Sequence, residues 1–144
     1  ELMLEVVVQQ NGSSEPGAAA AAMERMYELG IYPDWWKLGP ITTAQEFEQV
    51  SAVIDKFDPW CRGIVLLGLS APIKDLVANF SVAAPFKHIK GFVVGRSIWH
   101  ASAEAWLAGE IDDDGYVARI QERFTLLSGA WDEAHSPKMR TGNE

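Results

Sequence analysis

Two charged residues stand inside apolar segments of this sequence, and both are of types that catalyse reactions of carbonyl compounds. Lys37 lies between Trp36 and Leu38, where a charged side chain is costly to bury. An apolar surrounding disfavours the ammonium form and so favours the neutral amine, which attacks a carbonyl carbon. The structural alternative is a lysine at the end of a strand, whose ammonium group reaches solvent or pairs with a carboxylate.

Glu5 is the only charged residue inside the first apolar segment, Leu2 to Val8. Adjacent parallel strands that each point one charged residue into a barrel would bring Glu5 beside Lys37. A carboxylate there could move protons during imine formation and carbon–carbon cleavage. The structural alternative is an ion pair that neutralises two buried charges. The two interpretations are compatible, because a Schiff-base site also uses a carboxylate to orient its lysine.

A third group of residues indicates a phosphate site. Gly95-Arg96-Ser97 follows an apolar segment and opens a predicted helix. Backbone N–H groups at a helix start, a glycine that permits close approach and an arginine fork all suit a phosphate. Gly68 and Ser70 hold the equivalent position after the preceding strand, and in barrels the loops after strands seven and eight commonly bind phosphate. The alternative is a turn glycine beside a surface arginine.

The remaining reactive residue types form no recognisable site. His88, His100 and His135 lack the spacing of metal ligands, so neither a metal nor another cofactor is predicted. Cys61 is the single cysteine and has no obvious histidine partner, which favours packing over nucleophilic catalysis. It cannot form an internal disulfide, so a reducing compartment is expected. Trp35 and Trp99 are the tryptophans expected near the active face.

The elements that must position these residues alternate regularly. Apolar segments predict strands over 2–8, 34–39, 63–69 and 91–95, and amphipathic segments predict helices over 18–29, 43–57, 72–86, 96–107 and 112–134. Pro16 is expected as the first helical residue with Ser14 as its cap, and Thr43 with Glu46 predicts a capping box. A strand followed by a helix roughly every 30 residues indicates βαβ units on a parallel sheet.

This α/β pattern fits a (β/α)8 barrel and an open doubly wound sheet. The first strand leads into Gln-Asn-Gly-Ser-Ser, without Gly-x-Gly-x-x-Gly, and no Gly-Lys-Ser/Thr loop is present, which favours the barrel. A complete barrel needs roughly 250 residues. The 144 residues therefore predict about four β/α units, a half-barrel over 1–134, and a disordered tail over 135–144.

The charge balance limits the possible partners. The formal net charge is −8, with 48% apolar and 22% charged residues. Nucleic acids and anionic membranes require a basic surface, so neither is an expected partner. A small phosphorylated substrate remains possible, because one local cationic pocket can hold it. No apolar run approaches the roughly 20 residues of a membrane span, and no basic start of a signal peptide is seen. We therefore expect a cytoplasmic protein.

Three segments together resemble a known family: Leu2 to Val6, Tyr32 to Leu38, and Gly91 to Trp99. They are similar to the C-terminal half of the aldolase-like domain fused behind the sugar kinase, 5-dehydro-2-deoxygluconokinase, in bacterial inositol catabolism proteins. That domain is similar to class I tagatose-bisphosphate aldolases. The resemblance covers residues 2 to about 131, and Trp-Trp-Lys and Gly-Phe-x-Val-Gly-Arg are its most specific parts.

The resemblance implies a role for each candidate residue. The four strands would be the fifth to eighth of a barrel, with Lys37 as the imine-forming lysine and Glu5 as the acid/base. The implied reaction is retro-aldol cleavage of 5-dehydro-2-deoxygluconate 6-phosphate into dihydroxyacetone phosphate and malonate semialdehyde. The residues matching the phosphate-binding segments of the eighth and seventh strands are Gly95, Arg96, Gly68 and Ser70.

One departure from the family is the absence of the first four strands. This half-barrel would expose two strand edges and an apolar inner face. The rest of the barrel or a second copy of the chain is therefore an expected partner, with a homo-oligomer as one outcome, and the chain alone is not expected to be fully active. Alternative functions are a non-catalytic phosphometabolite-binding or oligomerisation domain of a kinase fusion, and an isomerase or other phosphosugar enzyme on the same fold.

Overall fold

The computed structural model describes residues 1–8, 15–39 and 41–136, and in these residues strands alternate with helices. The strands are β1 (Met3–Val7), β2 (Trp35–Gly39), β3 (Gly63–Leu67) and β4 (Ile89–Val93). The helices are α1 (Ala18–Glu28), α2 (Ala44–Phe57), α3 (Ile73–Ala83), α4 (Arg96–Leu107) and α5 (Asp113–His135). Neighbouring strands are parallel throughout. The predicted α/β class and parallel sheet are confirmed.

Several predicted boundaries are wrong by a few residues. β4 begins at Ile89, two residues before the predicted start, because Ile89 pairs with Ile64 before a register shift in the β3–β4 ladder. The sequence does not indicate a strand start at Ile89, because Lys90 interrupts the apolar segment. Helix α1 begins after Gly17, which has a φ of 81°, and not at Pro16. The predicted cap Ser14 and residues 137–144 of the predicted tail lie outside the described residues.

The sheet has one covered face and one open face. Its strands follow the order β1-β2-β3-β4. Crossovers between neighbouring parallel strands are almost always right-handed, which places the connecting helices on the same side of the sheet. One set of alternating strand residues joins the hydrophobic core formed with all five helices, and this set includes Leu4, Val6, Trp36, Leu38, Ile64, Leu66 and Phe92. The other set faces away from the helices, because successive side chains of a strand alternate between faces.

The open face is largely apolar and partly exposed. Met3, Val7 and Val93 are each more than two-fifths exposed, whereas Val65 and Leu67 on the central strand β3 are buried. β1 and β4 are the outer strands of the described sheet. The expected apolar face and two strand edges are therefore present in the described part of the chain.

Local capping interactions fix where the helices begin. The Oγ1 of Thr43 accepts a hydrogen bond from the Glu46 N–H at 3.3 Å and donates to the Glu46 carboxylate at 2.8 Å, so the predicted cap of α2 forms. Asp112 caps α5 by accepting from the Gly115 N–H at 2.9 Å. These bonds satisfy backbone donors that a helix leaves unpaired. None of the helices in the described residues is both long and apolar enough to span a bilayer.

A buried hydrogen bond fixes β2 to the helix layer. The indole Nε1 of Trp36 donates to the Tyr27 hydroxyl at 2.9 Å, and both side chains are almost completely buried. Burial raises the pKa of the Tyr27 phenol, so this hydroxyl stays neutral over the physiological range. Because Trp36 directly precedes Lys37, this bond also fixes the backbone that carries the candidate lysine.

Trp36→Phe should lower the free energy of unfolding by about 2–4 kcal/mol, since it leaves the Tyr27 hydroxyl without its donor and removes core volume. Trp60→Phe is the matched control because Trp60 is 89% exposed, and its effect should stay within about 0.5 kcal/mol. Urea denaturation measures both variants. Equal stability of the two variants would contradict the anchoring role of Trp36.

Candidate active site

Glu5 and Lys37 form an ion pair on the open face of the sheet. The two residues are direct partners in the β1–β2 register, and the Lys37 Nζ lies 2.8 Å from the Glu5 Oε2. The Lys37 side chain is 21% exposed and the Glu5 side chain is 48% exposed. Both face away from the helices because their strand neighbours, such as Trp36, belong to the helix-side core. The pair is therefore accessible to a ligand.

The ion pair adds little to stability. Pairs with this degree of solvent exposure contribute about 0–1 kcal/mol, because water screens the attraction and both side chains lose rotational freedom. Its main physical effect is orientation: the carboxylate fixes the position of the Lys37 amine on the open face. The pair also places an amine and a carboxylate at hydrogen-bond distance, which is the combination that imine formation with general acid/base catalysis requires.

A cavity of about 280 Å³ lies beside this ion pair. The carboxyl-terminal ends of β3 and β4, represented by Leu67 and Val93, form part of its wall. The described residues that line it are Glu5, Lys37, Leu67, Gly68, Leu69, Ser70, Val93, Gly95, Arg96, Ser97 and Trp99. All six residues proposed from the sequence thus meet at one cavity, which unites the amine, the carboxylate and the glycine-arginine segment.

The turn after β3 has a strained backbone. The Gly68 carbonyl accepts a hydrogen bond from the Ala71 N–H at 2.7 Å, which closes a four-residue turn. The central residues Leu69 and Ser70 have φ values of 43° and 62°, in the left-handed region that favours glycine. Each such residue costs about 1–3 kcal/mol, and strain of this kind occurs most often at functional sites. Neither residue type predicts this turn, so the strain is visible only in the structure.

Gly68 permits close contact between this turn and the start of α4. A Cβ atom at position 68 would lie 2.9 Å from the Val94 Cγ1 and 3.2 Å from the Ser97 Oγ. These distances are shorter than ordinary van der Waals contact, so a side chain here would push the two loops apart. Glycine at position 68 therefore permits this close approach of the turn to the segment after β4.

The other wall of the cavity is the amino-terminal end of α4. Gly95 is the N-cap of this 12-residue helix, and Arg96 is its first residue. Unpaired N–H groups and the helix dipole favour an anion at such an end, and the exposed Arg96 guanidinium adds a full positive charge. Trp99, 40% exposed, lies one turn further along α4 and also lines the cavity. This wall therefore has the charge and the backbone donors that favour an anion.

The other reactive residues lie outside this cavity. The Cys61 Sγ contacts the carbonyl oxygens of Asp34 and Gly63 at 3.7 and 3.9 Å, and burial raises the pKa of its thiol. Such a thiol is a poor nucleophile, which agrees with a packing role. Trp35 shares the open face with Lys37 but is not a lining residue. Within the described ranges, no three His, Cys, Asp or Glu residues gather as metal ligands would.

Gly68→Ala should lower the free energy of unfolding by about 1–3 kcal/mol, because the new methyl group overlaps Val94 and Ser97. Gly129→Ala is the matched control: Gly129 lies inside α5, and its Cβ would have no neighbour within 4 Å. That variant should gain about 0.5–1 kcal/mol, since alanine is the better helix former. Thermal or urea unfolding measures both. A stability of Gly68→Ala equal to that of wild type would contradict the close contact.

Comparison with known proteins identifies the family of this chain. No curated protein matches the sequence. A family model described as "Uncharacterized protein conserved in bacteria (DUF2090)" matches residues 1–135, which include both β1 with Glu5 and α4 with Arg96. Because the match covers all four strands and nearly the whole of the described chain, this protein belongs to the DUF2090 family.

Proposed function

We propose that this chain is part of a class I, Schiff-base aldolase domain that acts on a phosphorylated keto acid. The observation that supports it best is the pair formed by the Lys37 Nζ and the Glu5 Oε2 at 2.8 Å, in a cavity that Gly95 and Arg96 also line. Following the family resemblance, the proposed reaction cleaves 5-dehydro-2-deoxygluconate 6-phosphate into dihydroxyacetone phosphate and malonate semialdehyde.

The proposed architecture is one half of a (β/α)8 barrel. The strand order β1-β2-β3-β4 with helices on one face supports it, because an open doubly wound sheet reverses its strand order and carries helices on both faces. Barrel enzymes place their catalytic groups at the carboxyl-terminal ends of the strands. The cavity lies at the ends of β3 and β4, which is consistent with that position.

In the first step of the proposed mechanism, Lys37 forms an imine with the substrate. Proton transfer from the Lys37 ammonium to Glu5 frees the amine, which then attacks the keto carbon and forms a carbinolamine. Glu5, now protonated, returns its proton to the departing hydroxyl group, so that water leaves and a protonated imine remains. The short distance between the two groups allows both transfers without an intervening water molecule.

In the second step, the imine accepts the electrons of the breaking bond. Glu5 removes the proton of the hydroxyl group on the β carbon, counted from the imine carbon, and the bond between the α and β carbons breaks. The β carbon becomes the aldehyde carbon of malonate semialdehyde, and the electron pair of the broken bond moves into the protonated imine to give an enamine. Glu5 then protonates the enamine carbon. Hydrolysis of the resulting imine releases dihydroxyacetone phosphate and restores the Lys37 amine.

The phosphate group would anchor the substrate at the opposite wall. Arg96 offers a planar fork of N–H donors, and the Gly95 and α4 backbone supplies a helix start that favours an anion. Gly68 and Ser70 form the adjacent strained turn. Binding the non-reacting phosphate positions the keto carbon at the amine, which converts binding energy into correct orientation.

The alternative function is a non-catalytic domain that binds a phosphometabolite or mediates oligomerisation. The exposed apolar residues Met3, Val7 and Val93 on the open face favour it, because monomeric proteins rarely leave such a surface uncovered. The same surface is also compatible with the aldolase. In that case further strands, from a longer chain or a second copy, would cover the open face and complete the substrate pocket.

Incubation with dihydroxyacetone phosphate followed by borohydride should attach one reduced triose phosphate to Lys37, as located by peptide mass spectrometry. Lys37→Arg should abolish the adduct, because a guanidinium group does not form the imine. Lys56→Arg is the matched control: Lys56 is also ion-paired, with its Nζ 3.1 Å from the Glu24 Oε1, but lies outside the cavity. That variant should keep the adduct on Lys37.

Two results would contradict the imine mechanism. One is the absence of any adduct on the folded wild-type chain and on a longer chain that supplies further strands. The other is labelling spread evenly over the lysines, which would indicate unspecific reaction. The binding domain would then be the better explanation, and it predicts that Lys37→Arg leaves the affinity for a phosphorylated ligand nearly unchanged.

Glu5→Gln should slow adduct formation on Lys37 by about 100-fold, because a general acid/base is removed while side-chain size is kept. Glu24→Gln is the control, since it removes the carboxylate of the Lys56 pair without changing the cavity. The rate of adduct formation, measured by mass spectrometry of quenched samples, separates the two variants. An unchanged rate in Glu5→Gln would restrict Glu5 to orienting the amine.

A further inference from the structure

A second cavity adjoins the turn after β3 and the start of α4. It has a volume of about 260 Å³ and shares Ser70, Arg96 and Ser97 with the cavity that contains Lys37. We call it the outer cavity. Its remaining described lining residues come from the start of α3, from α4 and from α5: Ala71, Pro72, Ile73, His100, Ala101 and Arg123. Two arginines from different helices thus meet in one concave site.

The outer cavity has a positive lining in an acidic chain. Arg96, Arg123 and His100 supply its ionisable groups, and none of its described lining residues is an aspartate or glutamate. The Glu104 carboxylate on the surface of α4 lies 3.6 Å from the His100 Nε2, but Glu104 does not line the cavity. The formal net charge of the whole chain is −8, so this lining contrasts with the rest of the protein. Such local charge favours an anionic ligand.

Ser97 and Arg123 differ in what they offer a ligand in the outer cavity. The Ser97 Oγ is buried and has no hydrogen-bond partner among the described residues. Its oxygen lies 3.2 Å from the position of a Cβ at Gly68, so the accessible donors of the outer cavity are those of the two arginines. The Arg123 Nη1 donates to the Ile98 carbonyl at 3.2 Å, which fixes the guanidinium plane. A guanidinium group has five N–H donors, so others can serve a ligand.

We propose that the outer cavity is a second anion site, which binds inorganic phosphate or the phosphate group of a phosphomonoester. The guanidinium groups of Arg96 and Arg123 provide forked, charge-assisted donors, and tetrahedral phosphate oxygens accept hydrogen bonds from such donors. The site goes beyond the proposed aldolase reaction, because Arg123 and His100 do not line the cavity that contains Lys37.

The test follows the His100 ring signals by NMR while inorganic phosphate is added at constant ionic strength. His100 lines the outer cavity, and His88 lies near Asp55 on another part of the surface and serves as an internal reference. The His100 signal should shift to saturation and the His88 signal should not. Arg123→Gln should weaken this binding at least about tenfold, the effect of losing a hydrogen bond to a charged group.

Arg119→Gln is the matched control, because Arg119 lies one turn earlier on α5 and outside the cavity. The affinity of this variant for phosphate should stay within about twofold of wild type. Glycerol 3-phosphate, used as a second probe, distinguishes the two proposed ligands. Binding of both probes indicates a site for free phosphate, and binding of glycerol 3-phosphate alone indicates a phosphomonoester site. A His100 signal that does not respond to either probe, or equal affinities in Arg123→Gln and Arg119→Gln, would overturn the proposal.

The outcome of the phosphate-binding test does not depend on whether the proposed aldolase reaction takes place. Borohydride trapping on Lys37 requires no contribution from Arg123, so the Arg123→Gln variant should form the triose adduct as the wild type does. Loss of phosphate binding with trapping retained supports the second site. Failure of trapping with phosphate binding retained would count against the aldolase alone.

Discussion

The register between β1 and β2 is the constraint on which the candidate site depends. It places Glu5 directly opposite Lys37, and it is fixed by the apolar residues on either side of them and not by the ion pair itself. Leu4 pairs with Trp36 and Val6 with Leu38, and these four side chains pack toward the helices. A shift of one residue would turn the two charged side chains into that core and expose Trp36. The free energy gained by burying Trp36 thus maintains the geometry of the Glu5–Lys37 pair, which contributes little stability of its own.

The two faces of the sheet have different roles: one stabilises the fold, and the other carries the candidate site. The helix face contains the packed aromatic side chains, among them Tyr27, Trp36 and Phe80, and supplies the hydrophobic stabilisation. The open face and its rim contain the polar pair, the positive-φ turn at Leu69 and Ser70, and the exposed start of α4. Strain in that turn persists because the strand before it and the helix after it are both firmly packed. Residues that contribute little to folding are free to satisfy the geometry of a ligand.

Most of the fold was predictable from the sequence, and so were the central members of the site. Continuous apolar segments such as 63–67 indicate strands buried on both faces, and Thr43 with Glu46 marks a helix start by a local hydrogen bond. Lys37 and Glu5 could be identified because a charge inside an apolar strand is unusual. The Leu69–Ser70 turn was not predictable, since neither residue prefers a positive φ. The contribution of Arg123 was hidden as well, because only packing of α5 against α3 and α4 brings it near Arg96.

The distribution of charge suggests how an acidic chain could accept an acidic substrate. At physiological ionic strength charges are screened over about 8 Å, so an approaching phosphate group responds mainly to the nearby Arg96 and Arg123 and little to the net charge of −8. The Lys37 ammonium is already neutralised by Glu5 and contributes little to this attraction. In the proposed reaction, the groups that attract the phosphate are therefore different from the group that reacts with the carbonyl carbon. Arginine remains charged and holds the phosphate, whereas lysine can lose its proton to the adjacent carboxylate once the carbonyl group is in place.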